Sequence, residues 1–598
     1  MATYFSRRNL DFLLYEVFHA TELTKYPYFE AHDRETFDMV LDSATHIADT
    51  LMYPYYRDVD RNQPELKAGK VTVHPKIKEF LTAVGDAGLI GASFPFEQGG
   101  QQLPELIGSC MGFIKMAANN GMMYIGLTSG AANLITTFGS ENLISTYVPH
   151  LLSGKWQGTM ALTEPQAGSS LSDITTSAEP LENGSYLIKG QKVFISAGDH
   201  DAVDNVVHLM LARIKGAPKG TKGISLFVVP KSRLTDDGTF VDNDVASTGI
   251  YHKLGQRGTP AMHLTMGEED NCYGWLVGEP NRGLNYMFQM MNEARIGVGM
   301  TGAAIASAAY YASLEYAKER PQSRRLNEKN LLDSPQTMII NHPDVKRMLL
   351  FQKAVVEGSL SLLMECARLS DLVHVTEGEE KENYELLLDL LTPVAKTFPT
   401  EMGVRAVSEG LQVLGGYGFT EDFPLEQMYR DIRITPIYEG TTGIQSQDLL
   451  GRKMTIKNGK APRLLFAEIA KTLEEAQTYD ELKPYAERLR KETGRIQEVT
   501  ASLLPFAMQG NIERFLMDAT LYMEMFGIVT VAWQWLKQGI AAKKAQLTLG
   551  DTEDAFYESK LHTMKFYFHY EVPKTKGLAT RLLDTEVLTL ETGKEVIL

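Results

Sequence analysis

The residue with the clearest potential for acid–base chemistry is Glu439, which lies within the run Ile437 to Gln445, IYEGTTGIQ. Its carboxyl group stands between Tyr438 and a Gly-Thr step. Apolar neighbours that exclude water raise the pKa of a carboxyl group toward the range of a general base. One such Glu is a weak signal, because a Glu beside a Gly-Thr turn is more often a helix cap. Further motifs must support it.

Three other stretches precede this one in the chain. They are Met160 to Ser169, MALTEPQAGS; Gly190 to Gly198, GQKVFISAG; and Gln412 to Phe419, QVLGGYGF. The four motifs, in this order, resemble those of the acyl-CoA dehydrogenase family, over roughly residues 75 to 455. Members of that family use FAD to desaturate a fatty acyl thioester.

The resemblance implies a role for each matching residue. Glu439 would abstract the α-proton, and the β-hydrogen would pass as hydride to flavin N5. The enolate oxygen would be held by the backbone N–H of Glu439 and the ribityl chain of FAD. The residues implied in FAD binding are Met160, Leu162, Thr163, Ser169, Phe194, Ser196, Arg320, Gln412, Gly415, Gly416 and Thr441. Those implied in substrate binding are Ser169, Asn292, Arg295, Tyr438 and Gly440, and no metal is implied.

Some positions allow a plainer interpretation or depart from the family pattern. Arg295 could instead form an ion pair within its own helix, and Glu164 is more readily structural than catalytic. Phe194 stands where Trp is commoner, so the apolar wall remains but an indole N–H is lost. Pro321-Gln322-Ser323 follows Arg320 where many members have an aromatic residue, and Gly443 replaces a side chain that is often polar. These departures affect the expected FAD contacts and oligomer geometry rather than the chemistry.

The hydrophobic pattern changes period along the chain, which predicts an α+β multidomain protein. An aromatic arm (1–40) precedes an N-terminal helical domain (41–155), a middle antiparallel β domain (156–280) and a helical bundle with Glu439 (281–455). An additional C-terminal helical domain follows at 461–598. Glycines in the Ala-rich helix from Leu284 to about Glu319 indicate close approach to another helix or to the cofactor, since glycine costs about 1 kcal/mol in a helix. An acidic loop is expected at 377–382.

The bulk composition narrows the class of protein. The chain has 598 residues, 44% hydrophobic and 22% charged, which is typical of a soluble globular protein. A net charge of −16 disfavours nucleic acid as a partner. Cys110, Cys272 and Cys366 are widely spaced, so reduced thiols are expected rather than disulfides or zinc ligands. The N-terminus lacks the apolar region of a secretory signal, and we expect a cytoplasmic protein.

Two segments leave alternatives open. The run Tyr522 to Leu536 could lie on a membrane, but Glu524 and Gln534 interrupt it, so a packed core helix is favoured and membrane contact would be peripheral at most. Residues that could line an acyl pocket, or equally form a core stripe, are Met111, Phe113, Met122, Met123 and Ile125.

The function predicted from the resemblance is FAD-dependent desaturation of a medium- to long-chain acyl-CoA to the trans-2-enoyl-CoA, as in fatty-acid β-oxidation. The implied partners are an acyl-CoA substrate, an electron-transfer flavoprotein as acceptor, and further copies of the chain in a homodimer or a higher homo-oligomer. The alternatives are a 3-methylmercaptopropionyl-CoA dehydrogenase, an acyl-CoA oxidase, or an inactive flavoprotein scaffold. A DNA-binding flavoprotein is disfavoured, because the chain after Ala461 interleaves acidic residues with its Lys and Arg.

Overall fold

The computed structural model describes residues 3–235, 237–327, 334–549 and 552–598. The chain divides into two compact units, Met1–Ala31 with Val298–Leu598, and His32–Gly297. We call the first the helical unit and the second the mixed unit. The polar residues at 320–340 predict a crossover between helices, and part of this segment lies outside the described residues.

The chain is mostly helical. The α-helices, in chain order, are α1 Arg7–Asp11, α2 Arg34–Ile47, α3 Tyr56–Arg61, α4 Pro75–Asp86, α5 Glu105–Asn119, α6 Ile125–Phe138, α7 Glu141–Leu152, α8 Gly283–Glu319, α9 Pro343–Val375, α10 Gly378–Leu414, α11 Leu425–Ile432, α12 Thr442–Gln447, α13 Ile456–Ala476, α14 Lys483–Met508, α15 Ile512–Leu516, α16 Ala519–Leu549, α17 Asp554–Tyr570, α18 Lys574–Leu582, α19 Leu588–Glu591 and α20 Lys594–Ile597.

The strands all belong to the mixed unit. They are β1 Glu65–Lys67, β2 Lys70–Thr72, β3 Trp156–Ala161, β4 Ser177–Pro180, β5 Tyr186–Ser196, β6 Asn205–Ile214, β7 Ile224–Pro230, β8 Ser232–Leu234, β9 Phe240–Asp242, β10 Val245–Ile250, β11 Ala261–Met266 and β12 Tyr273–Val277. The helical, β and helical succession predicted from the sequence is confirmed. The β-branched and aromatic runs become strands because such side chains pack well on a pleated, half-buried surface.

The main sheet has eight strands, in the order β10-β11-β5-β12-β7-β6-β3, with β4 beside β5 and β6. Most pairs are antiparallel, as predicted, but β3 and β4 each run parallel to β6. One strand, β5, joins two runs that the sequence presents separately, Tyr186–Lys189 and Val193–Ser196. Buried side chains of the sheet form an apolar core that includes Ile195, Met210, Phe227 and Leu264.

Close helix packing in the helical unit explains the glycines of α8. A Cβ on Gly299 would lie 1.9 Å from the carbonyl oxygen of Ala395 on α10, and one on Gly302 would lie 2.9 Å from that of Pro399. Only glycine permits this backbone approach, so the predicted close helix–helix contact is confirmed. The predicted acidic loop is wrong: α10 already begins at Gly378. Glu379 and Glu380 lie in its first turn, where the helix dipole stabilises negative charge.

The C-terminal extension packs into the helical unit through α16. Trp535 is fully buried, and its indole N–H donates to the carbonyl of Ala354 on α9 at 3.0 Å. The hydroxyl of Ser361 donates to Gln534 at 2.8 Å. By length and composition the segment Ile512–Thr548 could cross a membrane, but 67% of its most apolar window is buried in the protein. This burial supports the core-helix interpretation.

Candidate active site

Glu439 lies in the turn between α11 and α12, in the helical unit. Its backbone φ is +53°, in the left-handed region that non-glycine residues rarely adopt. Such strain costs about 1–3 kcal/mol and persists only where surrounding structure imposes it. The side chain is half-buried. A strained, partly enclosed carboxyl group is typical of a functional residue.

Hydrogen bonds hold this turn in place. The side-chain amide of Gln445 donates to the carbonyl of Glu439 at 3.2 Å. Thr441 caps α12 by accepting from the Ile444 N–H at 3.3 Å. Gly440 has φ +88°, and a Cβ there would lie 2.4 Å from Nε2 of Gln445. The backbone of this turn therefore requires glycine at position 440. Thr441 serves the turn as a cap, and Tyr438 and Gly440 flank Glu439, half-buried.

A second group of predicted residues meets at the C-terminal end of α10. Gly415 has φ +60°, and its N–H donates to the carbonyl of Gln412. No atom of the described residues lies within 4 Å of a Cβ built on Gly415 or on Gly416, so open space borders the backbone there. The guanidinium of Arg320 lies 5.8 Å from the ring centre of Tyr417. Exposed backbone beside an arginine suits a pyrophosphate.

In the mixed unit, the segment after β3 carries Met160, Leu162 and Thr163. Met160 pairs with Leu209 in the sheet and is buried, while Leu162 and Thr163 are half-buried. The carbonyl of Thr163 accepts from the N–H of Val193 at 2.9 Å. The ammonium of Lys192 donates to the carbonyl of Leu162 at 3.0 Å. These hydrogen bonds hold the segment that follows β3 against β5.

Glu164 and Lys192 form a buried ion pair behind this segment. Their charged atoms lie 2.9 Å apart, with side chains 1% and 0% exposed. Glu164 also accepts from the backbone N–H of Thr175 at 2.6 Å and of Thr176 at 3.1 Å. Burial alone would raise the pKa of Glu164, but Lys192 and these hydrogen bonds outweigh it and lower that pKa to about 2. These contacts support the structural role considered for Glu164 from the sequence.

Phe194 and Ser196 lie at the end of β5. Phe194 has φ +58° and its side chain is 61% exposed. Its ring stacks on that of Tyr251, with centroids 4.4 Å apart and planes at 27°. Ser196 is half-buried and pairs with Ala261 of β11. Tyr251 therefore packs on one side of the Phe194 ring, and the rest of that ring is exposed.

The predicted substrate residues of α8 in the mixed unit are Asn292 and Arg295. Arg295 is buried and donates to the side chain of Asn292 at 3.1 Å. Ser169 is exposed in the loop that follows β3. Beside Asn292, Glu293 accepts from Asn133 of α6 at 2.8 Å.

Four family models match the chain in succession. The N-terminal, middle and C-terminal domains of acyl-CoA dehydrogenase match residues 34–155, 159–268 and 281–454. A model described as acetyl-CoA dehydrogenase C-terminal like matches residues 465–592. The chain belongs to the acyl-CoA dehydrogenase family. It is therefore an oxidoreductase that acts on the CH–CH bond of an acyl-CoA, with FAD as cofactor.

Named relatives cover most of this acyl-CoA dehydrogenase. It is 37% identical over 538 residues to the 3-methylmercaptopropionyl-CoA dehydrogenase of Ruegeria pomeroyi, covering 88% of each chain. It is 32% identical over 551 residues to the broad-specificity linear acyl-CoA dehydrogenase FadE5 of Mycobacterium tuberculosis, covering 89% of this chain and 90% of the relative. An acyl-CoA dehydrogenase from Bacillus anthracis, solved with FAD, has the same fold with TM-score 0.75 and 20% identity, covering 96% of this chain and 92% of its own.

The residues of each unit fit parts of FAD by their chemistry. The open backbone at Gly415 and Gly416, with Arg320, offers donors and positive charge for a diphosphate. The exposed ring of Phe194 offers an apolar surface for a flat heterocycle.

Sequence reasoning missed three residues at these places. They are Tyr417, whose ring lies against Arg320; Tyr251, which stacks on Phe194; and Lys192, which anchors the Leu162 carbonyl. Tyr417 and Lys192 stand inside the recognised motifs and could have been singled out. Tyr251 stands outside them, and no local pattern marks it.

Proposed function

We propose that this acyl-CoA dehydrogenase desaturates an acyl-CoA thioester to the trans-2-enoyl-CoA, with Glu439 as the base. The observation that carries the proposal is the left-handed backbone of Glu439 in a turn fixed by Gln445 and Thr441. Such a turn holds one carboxyl group in one orientation, which a base needs in order to reach a weakly acidic carbon.

Different residues of the chain are proposed to remove the proton, to stabilise the developing charge and to bind the substrate. The carboxylate of Glu439 removes the α-proton, and its backbone N–H is proposed as a donor to the thioester oxygen on which charge develops. FAD, when bound, accepts the β-hydrogen as hydride. Asn292 and Arg295 on α8 and Ser169 after β3 are proposed to bind the substrate.

The substitution Glu439→Gln tests the base. It keeps the size of the side chain but removes proton abstraction, so we expect kcat to fall by about 10²–10⁴-fold. Bound flavin and thermal stability should match the wild type. Turnover is followed with an artificial electron acceptor, and flavin by absorbance after release. A variant that keeps most of its kcat would refute the role of Glu439.

The acyl group is proposed to be a straight medium- to long-chain fatty acyl group, in line with the similarity to a broad-specificity linear acyl-CoA dehydrogenase. Four of the five residues considered for the pocket, Met111, Phe113, Met122 and Ile125, are buried in the core. They therefore give this proposal no support of their own.

A shorter, thioether-bearing substrate, 3-methylmercaptopropionyl-CoA, is the second candidate. The 37% identical relative carries that name. Comparing kcat/KM for octanoyl-CoA and 3-methylmercaptopropionyl-CoA decides between the two.

The electron acceptor, the oligomeric state and the cellular location are proposed from the resemblance to the family. We propose an electron-transfer flavoprotein as acceptor, a homodimer, and a cytoplasmic location in fatty-acid β-oxidation. Exposed aromatic residues in the helical unit, Phe419 at 95% and Tyr417 at 48%, support a covering partner. Light scattering of the purified holoenzyme measures the assembly, and a monomer would refute the dimer.

A further inference from the structure

A β-bulge in β5 turns one aromatic side chain outward. Ile195 pairs with Met262 and Lys192 pairs with Leu264, so Val193 and Phe194 together lie opposite His263. Two residues opposite one define a bulge, and bulges re-aim side chains near functional sites. In a regular strand Lys192 and Phe194 would share a face. Instead Lys192 is fully buried and Phe194 is 61% exposed.

The outward position of Phe194 needs support from another side chain. Its backbone is strained at φ +58°, and its largely exposed ring gains little from burial. The ring would be free to change rotamer if nothing packed against it. Tyr251 provides this contact, with ring centroids 4.4 Å apart and planes at 27°.

Tyr251 is itself fixed by the sheet. It directly follows β10, and its N–H donates to the carbonyl of Ala261 at 2.9 Å. Ala261 in turn pairs with Ser196 of β5. The main chain that carries Tyr251 is therefore tied, through β11, to the strand that carries Phe194.

We propose that Tyr251 is a positioning residue of the flavin site, which stacks on one face of Phe194 and holds that ring as the apolar wall of the isoalloxazine. This inference rests on the proposed function, since it requires FAD to bind beside Phe194. Aromatic pairs of this kind contribute beyond their buried area, because offset stacking suits the ring quadrupoles.

The test compares Tyr251→Ala and Tyr251→Phe in the holoenzyme. We expect the alanine variant to bind FAD roughly three- to tenfold more weakly, the range for one lost aromatic pair. Its flavin absorption and midpoint potential should also shift, because the wall beside the flavin loses its fixed position. The phenylalanine variant keeps the ring and should match the wild type. If Tyr251→Ala fails to fold, Tyr251→Leu replaces it.

Tyr186→Ala is the matched control. Tyr186 packs against Phe227 in the same sheet, with centroids 5.1 Å apart, so its loss removes a comparable aromatic pair. We expect it to lower stability without shifting the flavin spectrum or potential. Wild-type FAD affinity and spectrum in Tyr251→Ala would overturn the inference, as would equal effects of the two alanine variants. A wild-type protein without FAD would instead refute the proposed function.

Discussion

Glu439 is the proposed base, and its backbone is in the strained left-handed region. A carboxylate serves as a base only if it is free to take a proton, and a left-handed backbone persists only if neighbours fix it. Here the fixing contacts involve the backbone: Gln445 holds the Glu439 carbonyl, and Thr441 caps the next helix. Both contacts therefore act on the main chain of the strained turn and on the cap of α12.

Gly440→Ala is expected to damage the turn. Gly440 has φ +88°, and the new methyl group would lie 2.4 Å from the Gln445 amide that holds Glu439. We expect a loss of more than about 1 kcal/mol of stability and a lower kcat, because the Glu439 carbonyl loses its donor. Urea unfolding and steady-state kinetics measure both.

Gly443→Ala is the control for that substitution, three residues further along. Its nearest atom to an added Cβ is Oγ1 of Thr441, at 3.8 Å, and it lies inside α12, where alanine is favoured. We expect unchanged kcat and equal or higher stability. If both alanine variants behave alike, the turn does not depend on Gly440.

At the scale of elements, the Glu164–Lys192 pair joins three parts of the mixed unit. Glu164 follows β3, Lys192 lies in β5, and the Thr175 and Thr176 N–H groups precede β4. Removing one partner leaves a buried charge unpaired, which costs about 3–5 kcal/mol. The pair therefore fixes where Leu162 and Thr163 lie.

Lys192→Met tests the pair through its pH dependence. The pKa of Glu164 is lowered to about 2 in the folded protein from 4.5, so its contribution to stability is complete above pH 4.5 and is lost as the pH falls toward about 2. Without Lys192, burial raises that pKa, and acid unfolding should begin at higher pH. Circular dichroism across pH 2–7 measures the midpoint, an interval chosen to span both pKa values.

Lys189→Met is the matched control on the same strand. Lys189 pairs with Asp270 at 2.8 Å, but both side chains are more than half exposed. Exposed pairs contribute little, so its acid transition should coincide with that of the wild type. An equal shift in both variants would contradict the role assigned to Lys192.

Helices and strands could be predicted from the sequence better than the local backbone irregularities that set the direction of individual side chains. Periodicity was sufficient for α8 and for the apolar runs of β5, β6 and β7, because their apolar spacing is set by burial. It did not predict β1 and β2, which lie within the predicted N-terminal helical domain. The bulge at Val193 and Phe194 could not be predicted, since it depends on the register with β11, a long-range pairing. The sequence also predicts one helix from Ile512 to Lys544, where the structure has two, α15 and α16. It predicts a linker at 454–460, where the structure has a kink at Lys457–Gly459 within α13.

At the scale of the molecule, the N-terminal arm and the C-terminal extension share the core of the helical unit. Phe12 is fully buried and packs against Phe556, with centroids 5.5 Å apart. Lys560 of α17 forms a buried ion pair with Glu357 of α9 at 2.8 Å. The aromatic residues of the arm predict packing either on the body of the protein or on a partner subunit; in the structure Phe12 packs on the body, against α17.

Phe12→Ala tests whether the arm stabilises the helical unit. A fully buried phenylalanine leaves a cavity, and we expect a loss of about 3–5 kcal/mol in urea unfolding. Met508→Ala is the control, because the side chain of Met508 in the extension is 87% exposed. We expect this variant to unfold at the same urea concentration as the wild type. A neutral Phe12→Ala would show that the arm is dispensable.

The central claim is that Glu439 and FAD together desaturate an acyl-CoA. Its most direct test is anaerobic titration of the purified holoenzyme with acyl-CoAs of graded length and with 3-methylmercaptopropionyl-CoA. Flavin reduction is followed as bleaching near roughly 450 nm. We predict rapid bleaching by one class of acyl-CoA, and none in Glu439→Gln. A wild-type protein that holds FAD but is bleached by none of these thioesters would contradict the claim.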